Sequence, residues 1–274
     1  MAAAAMVACC PKGVEVSVEN PTASERVNET VEVAWTAVAE HHPGITPAEV
    51  VVKNCQGEEI PSQVIYAGEE EPQAVIFQAT VEGNGKACYT IVKGTPAAYP
   101  SKAFGRIVPE RYDDYAWENN LVAYRLYGPA LETSPEKLIT PGIDVWVKCT
   151  EKLVIDEWYA KGDYHHNYGD GMDCYKVGRT LGGGASVPMV GGKFWPMEHN
   201  YATAKTLDNG PIRTCGAELC GVDGRWSARV AREAHHARRQ QPLQQDGEHL
   251  HGCLRAAADC CGLRAPRGEG YRLG

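Results

Sequence analysis

Short runs in which apolar and polar residues alternate, each closed by turn residues, constrain this chain more than any other feature. Val14, Val16 and Val18 alternate with Glu15, Ser17 and Glu19, the pattern of a strand with one buried face. Pro21 ends that run, and Val31, Val33 and Trp35 alternate again. Residues 50–52, 64–66, 74–79 and 88–92 are further β-rich runs, separated by turn signals at 54–58, 68–72 and Gly83-Asn84-Gly85. Residues 121–127 (LVAYRLY) and 143–149 (IDVWVKC) are two more. No long apolar stripe of helical period with caps interrupts them. The pattern predicts an all-β fold, a sandwich or barrel, with 13–98 as a strand-rich lead-in and 99–214 as the half that carries function.

Composition breaks near residue 214. Before the break there are 12 Lys, 6 Arg and 10 Ile, with 18 basic and 28 acidic residues, net −10. The last 60 residues hold 9 Arg but no Lys, Ile, Phe, Thr or Asn, and carry net +2. They also hold five of the 11 cysteines and four of the nine histidines. The missing types have AT-rich codons and the abundant ones GC-rich codons. Residues 227–240 have almost no apolar stripe, Val230 being their one large aliphatic residue. The expectation is a frameshift near Cys215, with 215–274 out-of-frame and disordered. On that reading His249, His251, Cys253, Cys260 and Cys261 are chance composition rather than a zinc site. The alternative is a genuine basic tail that binds an acidic partner.

The net charge of −8 argues against nucleic acid as a partner. No apolar run is long enough to span a bilayer as a helix. An odd cysteine count without a regular ladder argues against a disulfide scaffold. Residues 1–12 begin MAAAAMVACC, the end of a signal peptide's apolar region or a disordered start. Met6-Val7-Ala8-Cys9 loosely fits a lipobox, which would place the protein in the periplasm or on a lipid anchor of the cell envelope.

Aromatic residues crowd the second half: 15 of 22 lie between Phe104 and Tyr201. Several sit beside charges, as in Arg111-Tyr112-Asp113-Asp114-Tyr115-Ala116-Trp117-Glu118-Asn119 and Asp163-Tyr164-His165-His166-Asn167-Tyr168. Aromatic faces next to carboxylates, amides and basic groups suit carbohydrate, whose C–H face packs on a ring while its hydroxyls need donors and acceptors. Trp117, Tyr164 and Tyr168 are read this way, whereas Trp146, flanked by Val145 and Val147, reads as core.

The segment 163–184 is long, polar and rich in glycine, as functional loops are. His165 and His166 would face opposite sides in a strand, but both could line a site from a loop. Histidine is the natural acid or base near neutral pH. Metal competes: His165, His166, Asp170, Asp173 and Cys174 are ligand types, yet their spacing matches no zinc signature. Gly182-Gly183-Gly184 is not a phosphate loop, and neither a dinucleotide fingerprint nor a nucleophile elbow is present.

Four stretches together, FGRIVPERYDDYAWENNLVAYRLYGPAL (104–131), IDVWVKC (143–149), LVIDEWYAKGDYHHNYGDGMDCYKVGRTLGGG (153–184) and LDNGPIRT (207–214), resemble the Bacteroidetes domain-of-unknown-function family four-eight-six-one. The resemblance covers about residues 14–214. It implies a protein of a polysaccharide-utilisation locus, on a β-supersandwich like that of galactose-mutarotase-like proteins and here cut short. One branch of the family includes oligosaccharide dehydratases of ulvan breakdown.

That branch implies a substrate with a saturated uronic acid at its non-reducing end, from which water is eliminated to leave a 4,5-unsaturated sugar. A base removes the C5 proton, an acid protonates the departing C4 hydroxyl, and a cation neutralises the carboxylate. His165, His166, Tyr164 and Tyr168 are the acid and base candidates. Arg111, Arg125, Lys176 and Arg179 are candidates for the carboxylate. Trp117, Glu118 and Asn119 would hold the sugar or orient a histidine. No organic cofactor is required, and a divalent metal is the weaker alternative. Two other readings stay open: a glycoside hydrolase using two of Asp113, Asp114, Glu118, Asp170 and Asp173, and a non-catalytic glycan-binding protein. A sandwich cut midway would expose a strand edge and an apolar face, so poor solubility or inactivity is expected of the chain as written.

Overall fold

The computed structural model describes residues 13–184, 189–190, 192–194, 198–212, 215–219 and 271–273. Residues 1–12, where the lipobox expectation falls, lie outside them. So does most of 215–274, including all five residues of the zinc pattern. The fold is all-β and sandwich-type, with the chain divided into two compact units.

Of the described residues, the first unit takes 13–101, 210–212 and 271–273. Its strands are β1 (Val14–Glu19), β2 (Arg26–Ala34), β3 (Val50–Asn54), β4 (Glu59–Ile60), β5 (Ser62–Ile65), β6 (Ala74–Val81) and β7 (Lys86–Lys93). The expected runs at 14–18, 50–52, 64–66, 74–79 and 88–92 fall within or overlap these strands. A five-stranded sheet includes β1-β7-β3-β4 in that order, and β2-β6-β5 form a second sheet. Val16, Val18, Val52, Tyr89 and Ile91 of the first sheet share one core with Val31, Val33, Val75 and Phe77 of the second. The alternation at 31–35 breaks at Trp35, where β2 gives way to a helix, α1 (Trp35–His41), which buries Val38 in the same core. Its Ala-containing sequence WTAVAEH supports a helix as readily as a strand.

The second unit takes the described residues between 102 and 209 together with 215–219. Strands β8 (Ala103–Val108), β9 (Asp114–Asn119), β10 (Val122–Leu126), β11 (Asp144–Lys148) and β12 (Gly171–Asp173) form an antiparallel sheet in the order β12-β11-β10-β9-β8. Helix α2 (Ile155–Lys161) crosses one face. There Val154, Ile155, Trp158 and Tyr159 pack with Val108, Ala116, Ala123, Trp146 and Tyr164. Trp146 is fully buried, as its apolar flanks suggested. The other face carries Tyr115, Trp117 and Leu126. Two short hairpins follow, β13 (Met189–Val190) with β14 (Lys193–Phe194), and β15 (Thr203–Asp208) with β16 (Cys215–Leu219). The last described strand, β17 (Tyr271–Leu273), pairs with β1 in the first unit's sheet.

Candidate functional site

Strand register explains how charge comes to lie under α2. Arg125 stands between Ala116 and Asp144 on the neighbouring strands, and Trp146 stands between Ala123 and Asp173. Alternation therefore puts Asp114, Arg125, Asp144 and Asp173 on the same face as the Trp146 core. All four are buried.

Arg125 Nε donates to Asp114 Oδ2 at 2.7 Å, and the backbone N–H of Gly128 donates to Asp114 Oδ1 at 2.9 Å. The Arg125 guanidinium also lies over the Tyr127 ring, 4.3 Å from its centre. Burial opposes the charge on Arg125, but Asp114 and the surrounding tyrosines more than offset it and raise its pKa. Burial likewise pushes Asp114 upward against the pull of Arg125. Tyr159, which donates to Asp114 at 3.4 Å, is pushed well up by burial and by that carboxylate.

The loop after α2 lays its first residues against this cluster. The Asp173 backbone N–H donates to the Tyr164 carbonyl at 2.8 Å, which docks the loop onto β12. The Tyr164 ring stacks on Trp146, and its hydroxyl oxygen accepts from Arg111 Nε at 3.1 Å and from Arg125 Nη1 at 3.5 Å. Arg111 is held on its other side by Glu136 at 2.8 Å. The ring of His165 lies 4.7 Å from that of Tyr164, and its side chain is 64% exposed. His165 Nδ1 is 3.3 Å from the Asp173 carbonyl oxygen and 3.2 Å from Asp173 Oδ2. A carbonyl can only accept, so Nδ1 carries the proton and Nε2 is left as the basic nitrogen.

The structure thus brings Arg111, Arg125, Tyr164 and His165 together and places the other candidates elsewhere. His166 and Tyr168 pair edge-to-face on the exposed part of the loop, where Tyr168 donates to Asp163 at 2.9 Å. Lys176 and Arg179 are exposed beyond β12. Trp117 is only 7% exposed and stacks on Tyr124, on the opposite face of the sheet. Both oxygens of Glu118 are engaged by the fold, accepting from the backbone N–H groups of Val154 and Ile155 and from Lys148. Asn119 accepts from the backbone of Leu121 and Val122 and so shapes the turn from β9 to β10. Among the described residues no group of three or more His, Cys, Asp or Glu side chains is placed to hold a metal ion. No described helix is long and apolar enough to cross a membrane.

The profile of the family described as "Domain of unknown function (DUF4861)" matches residues 18–218, most of the chain. The chain belongs to that family. The DUF4861 match includes every strand of the cluster and ends within β16. A protein of Formosa agariphila, described as "Uncharacterized protein P7", is 31% identical over 233 residues. That alignment takes in 78% of this chain and 58% of the relative, so the chain spans little more than half of the relative's length.

Sequence reasoning did not single out Asp144, Tyr127 or Tyr159 as part of the site. A signal for Asp144 exists: an acidic residue two positions before a core tryptophan in a strand must share its face. Tyr127 and Tyr159 reach the cluster from a strand end and a helix, and no local pattern marks them.

Proposed function

We propose that the second unit performs acid–base chemistry on a uronic acid residue of an oligosaccharide, eliminating water from it. One geometry supports this reading: His165, with its Nδ1 proton held by Asp173, lies beside a tyrosine whose oxygen is held by two guanidinium groups. His165 Nε2 would take the C5 proton, and the electron pair would form the C4–C5 double bond as the C4–O bond breaks. The oxygen of Tyr164 accepts from Arg111 and Arg125, so its own proton is directed elsewhere and would pass to the departing hydroxyl to give water. Arg111, less buried than Arg125, would face the substrate carboxylate, with Arg125 positioning Tyr164 from behind. Of the acids considered for hydrolysis, Asp114 and Glu118 are tied into buried ion pairs with Arg125 and Lys148, which weighs against a hydrolase that uses them.

The test is ultraviolet absorbance of the new conjugated double bond, with saturated uronic oligosaccharides as substrate. Formation of the chromophore by the wild type, lost in His165→Ala and Tyr164→Phe, is the expected result. Release of reducing ends without a chromophore would instead assign a hydrolase. Binding without turnover, retained in both variants, would assign a glycan-binding protein.

A further inference from the structure

Behind His165 lies a pair of acids with an unusual hydrogen-bond balance. Asp144 Oδ2 accepts from Tyr127 at 3.3 Å and from the Trp146 indole at 3.2 Å. Asp173 Oδ2 faces His165 Nδ1 at 3.2 Å. The Oδ1 atom of each carboxyl is buried and has no donor, and the two residues share one face of the paired strands β11 and β12, where Asp173 stands opposite Trp146 and Asp144 lies two positions before it. Two carboxylates offer only acceptors, so as ions they leave both oxygens unsatisfied and set like charges in contact away from water. A single proton between them removes both penalties at once.

We propose that Asp144 and Asp173 share one proton in the folded protein, and that this pair positions His165. Both are then positioning residues. Their role rests on the reading of His165 given above, whereas the shared proton rests on the two donorless oxygens and on the strand register that places them on one face. The surrounding groups fit a pair of net charge −1. Arg125 and Tyr127 come from the β10 side, Trp146 from β11, and His165 from the loop. Asp114 lies beyond Arg125 and is already matched to it. Consistent with this, burial and the neighbouring Asp144 push Asp173 up to about 6. Loss of the shared proton would set the two carboxylates repelling and shift the Asp173 side chain beneath the His165 ring.

Asp144→Asn is the informative variant. The amide keeps an oxygen for Tyr127 and Trp146 and gives Asp173 a permanent N–H donor in place of the proton. Three measurements test the proposal. In the infrared, between about pH 5 and about pH 6, the wild type shows carboxylic-acid C=O absorption in excess of that of either Asp144→Asn or Asp173→Asn. In carbon-13 spectra of aspartate-labelled wild type, which need no variant, two carboxyl resonances titrate together. In the elimination assay, the wild-type rate falls by about tenfold or more as the shared proton leaves, and Asp144→Asn moves that fall to higher pH, while Asp144→Leu loses the rate at every pH. An unchanged band and an unchanged pH profile in Asp144→Asn, or two carboxyls titrating independently near their ordinary values, overturns the pair. Absence of any elimination by the wild type overturns the functional reading, and the spectroscopic arms then decide the pair by themselves.

Discussion

Glu118 Oε2 and Lys148 Nζ lie 2.7 Å apart with both side chains fully buried, and the other oxygen of Glu118 caps a helix from a distant strand. The residue at the start of α2, Val154, has no side chain able to cap it. Glu118 supplies the missing acceptor across 36 residues of sequence, at 2.7 Å from the Val154 N–H and 2.8 Å from that of Ile155. This one carboxylate therefore fixes where α2 sits on the sheet, and with it Tyr159 over Asp114.

Glu118→Ala is expected to destabilise the protein by roughly 3–5 kcal/mol, because it strands a buried ammonium and uncaps the helix. Replacing Glu118 and Lys148 together by Leu and Met should recover part of that loss, since the stranded charge goes with them. Urea denaturation of the single and double variants checks both statements. A Glu118→Ala variant as stable as the wild type would return the residue to the role of a sugar ligand.

His165 and His166 are adjacent in sequence but differ in their partners. His165 is tied to Asp173, whereas His166 contacts the exposed Tyr168. His165→Ala should lower turnover by about 10²–10⁴-fold, the usual loss of a general base. His166→Ala should change it by no more than a few-fold. Steady-state kinetics on one substrate separates the two, and equal losses would contradict the assignment.

Much of the first unit's fold is legible in the alternation of apolar residues, because strands such as β1 bury one face in a core of their own unit and leave the other polar. Strand β9 hides for the opposite reason: both of its faces are buried. Tyr115 and Trp117 point to one side, while Asp114, Ala116 and Glu118 point to the other. Charged and aromatic residues then alternate, and the run reads as a binding surface rather than a strand. The same effect makes Trp117 and Glu118 resemble sugar-binding residues in sequence. A charge balanced by a partner 30 residues away looks, in sequence, like a charge awaiting a ligand. Tyr164 and His165 stand out in sequence because a long polar loop carries residue types that acid–base work requires, whereas Arg111 and Arg125 come from outside that loop and meet Tyr164 only in the fold.

Lys176 and Arg179 lie on the exposed stretch between β12 and Gly182. Each alanine variant should change stability by no more than about 0.5 kcal/mol. If either side chain reaches the substrate carboxylate, its loss raises KM and leaves kcat nearly unchanged. A large fall in kcat would instead place that residue at the reacting atoms.

Gly171 opens β12 with φ +116°, and a side chain there would collide with the Val147 carbonyl oxygen on β11. Gly171→Ala should push β12 off β11 and carry Asp173 with it, so activity is expected to suffer along with stability. Thermal unfolding and turnover of the same preparation test this. A variant with normal stability and normal turnover would show that the β11–β12 contact does not set the position of Asp173.

Stability should respond to pH through the buried acids in a direction opposite to that of ordinary surface carboxylates. Asp173 is raised to about 6 by burial and by Asp144, and burial raises Asp114 as well. A raised carboxyl binds its proton more tightly in the folded chain than in the unfolded one. Its stabilising effect is complete below the unfolded value of about 4 and is lost as pH rises through the folded value. Exposed acids such as Glu110 and Glu157 are lowered by their basic partners and act with the opposite sign, but solvent screens them. Asp173→Asn removes one buried acid and leaves those surface groups in place. Urea denaturation from about pH 4 to about pH 7 should therefore show the wild type losing up to about 3 kcal/mol relative to Asp173→Asn across that interval. A difference that stays constant, or one that grows in favour of the wild type as pH rises, would mean that Asp173 is ionised in the fold throughout and that the pair holds no proton.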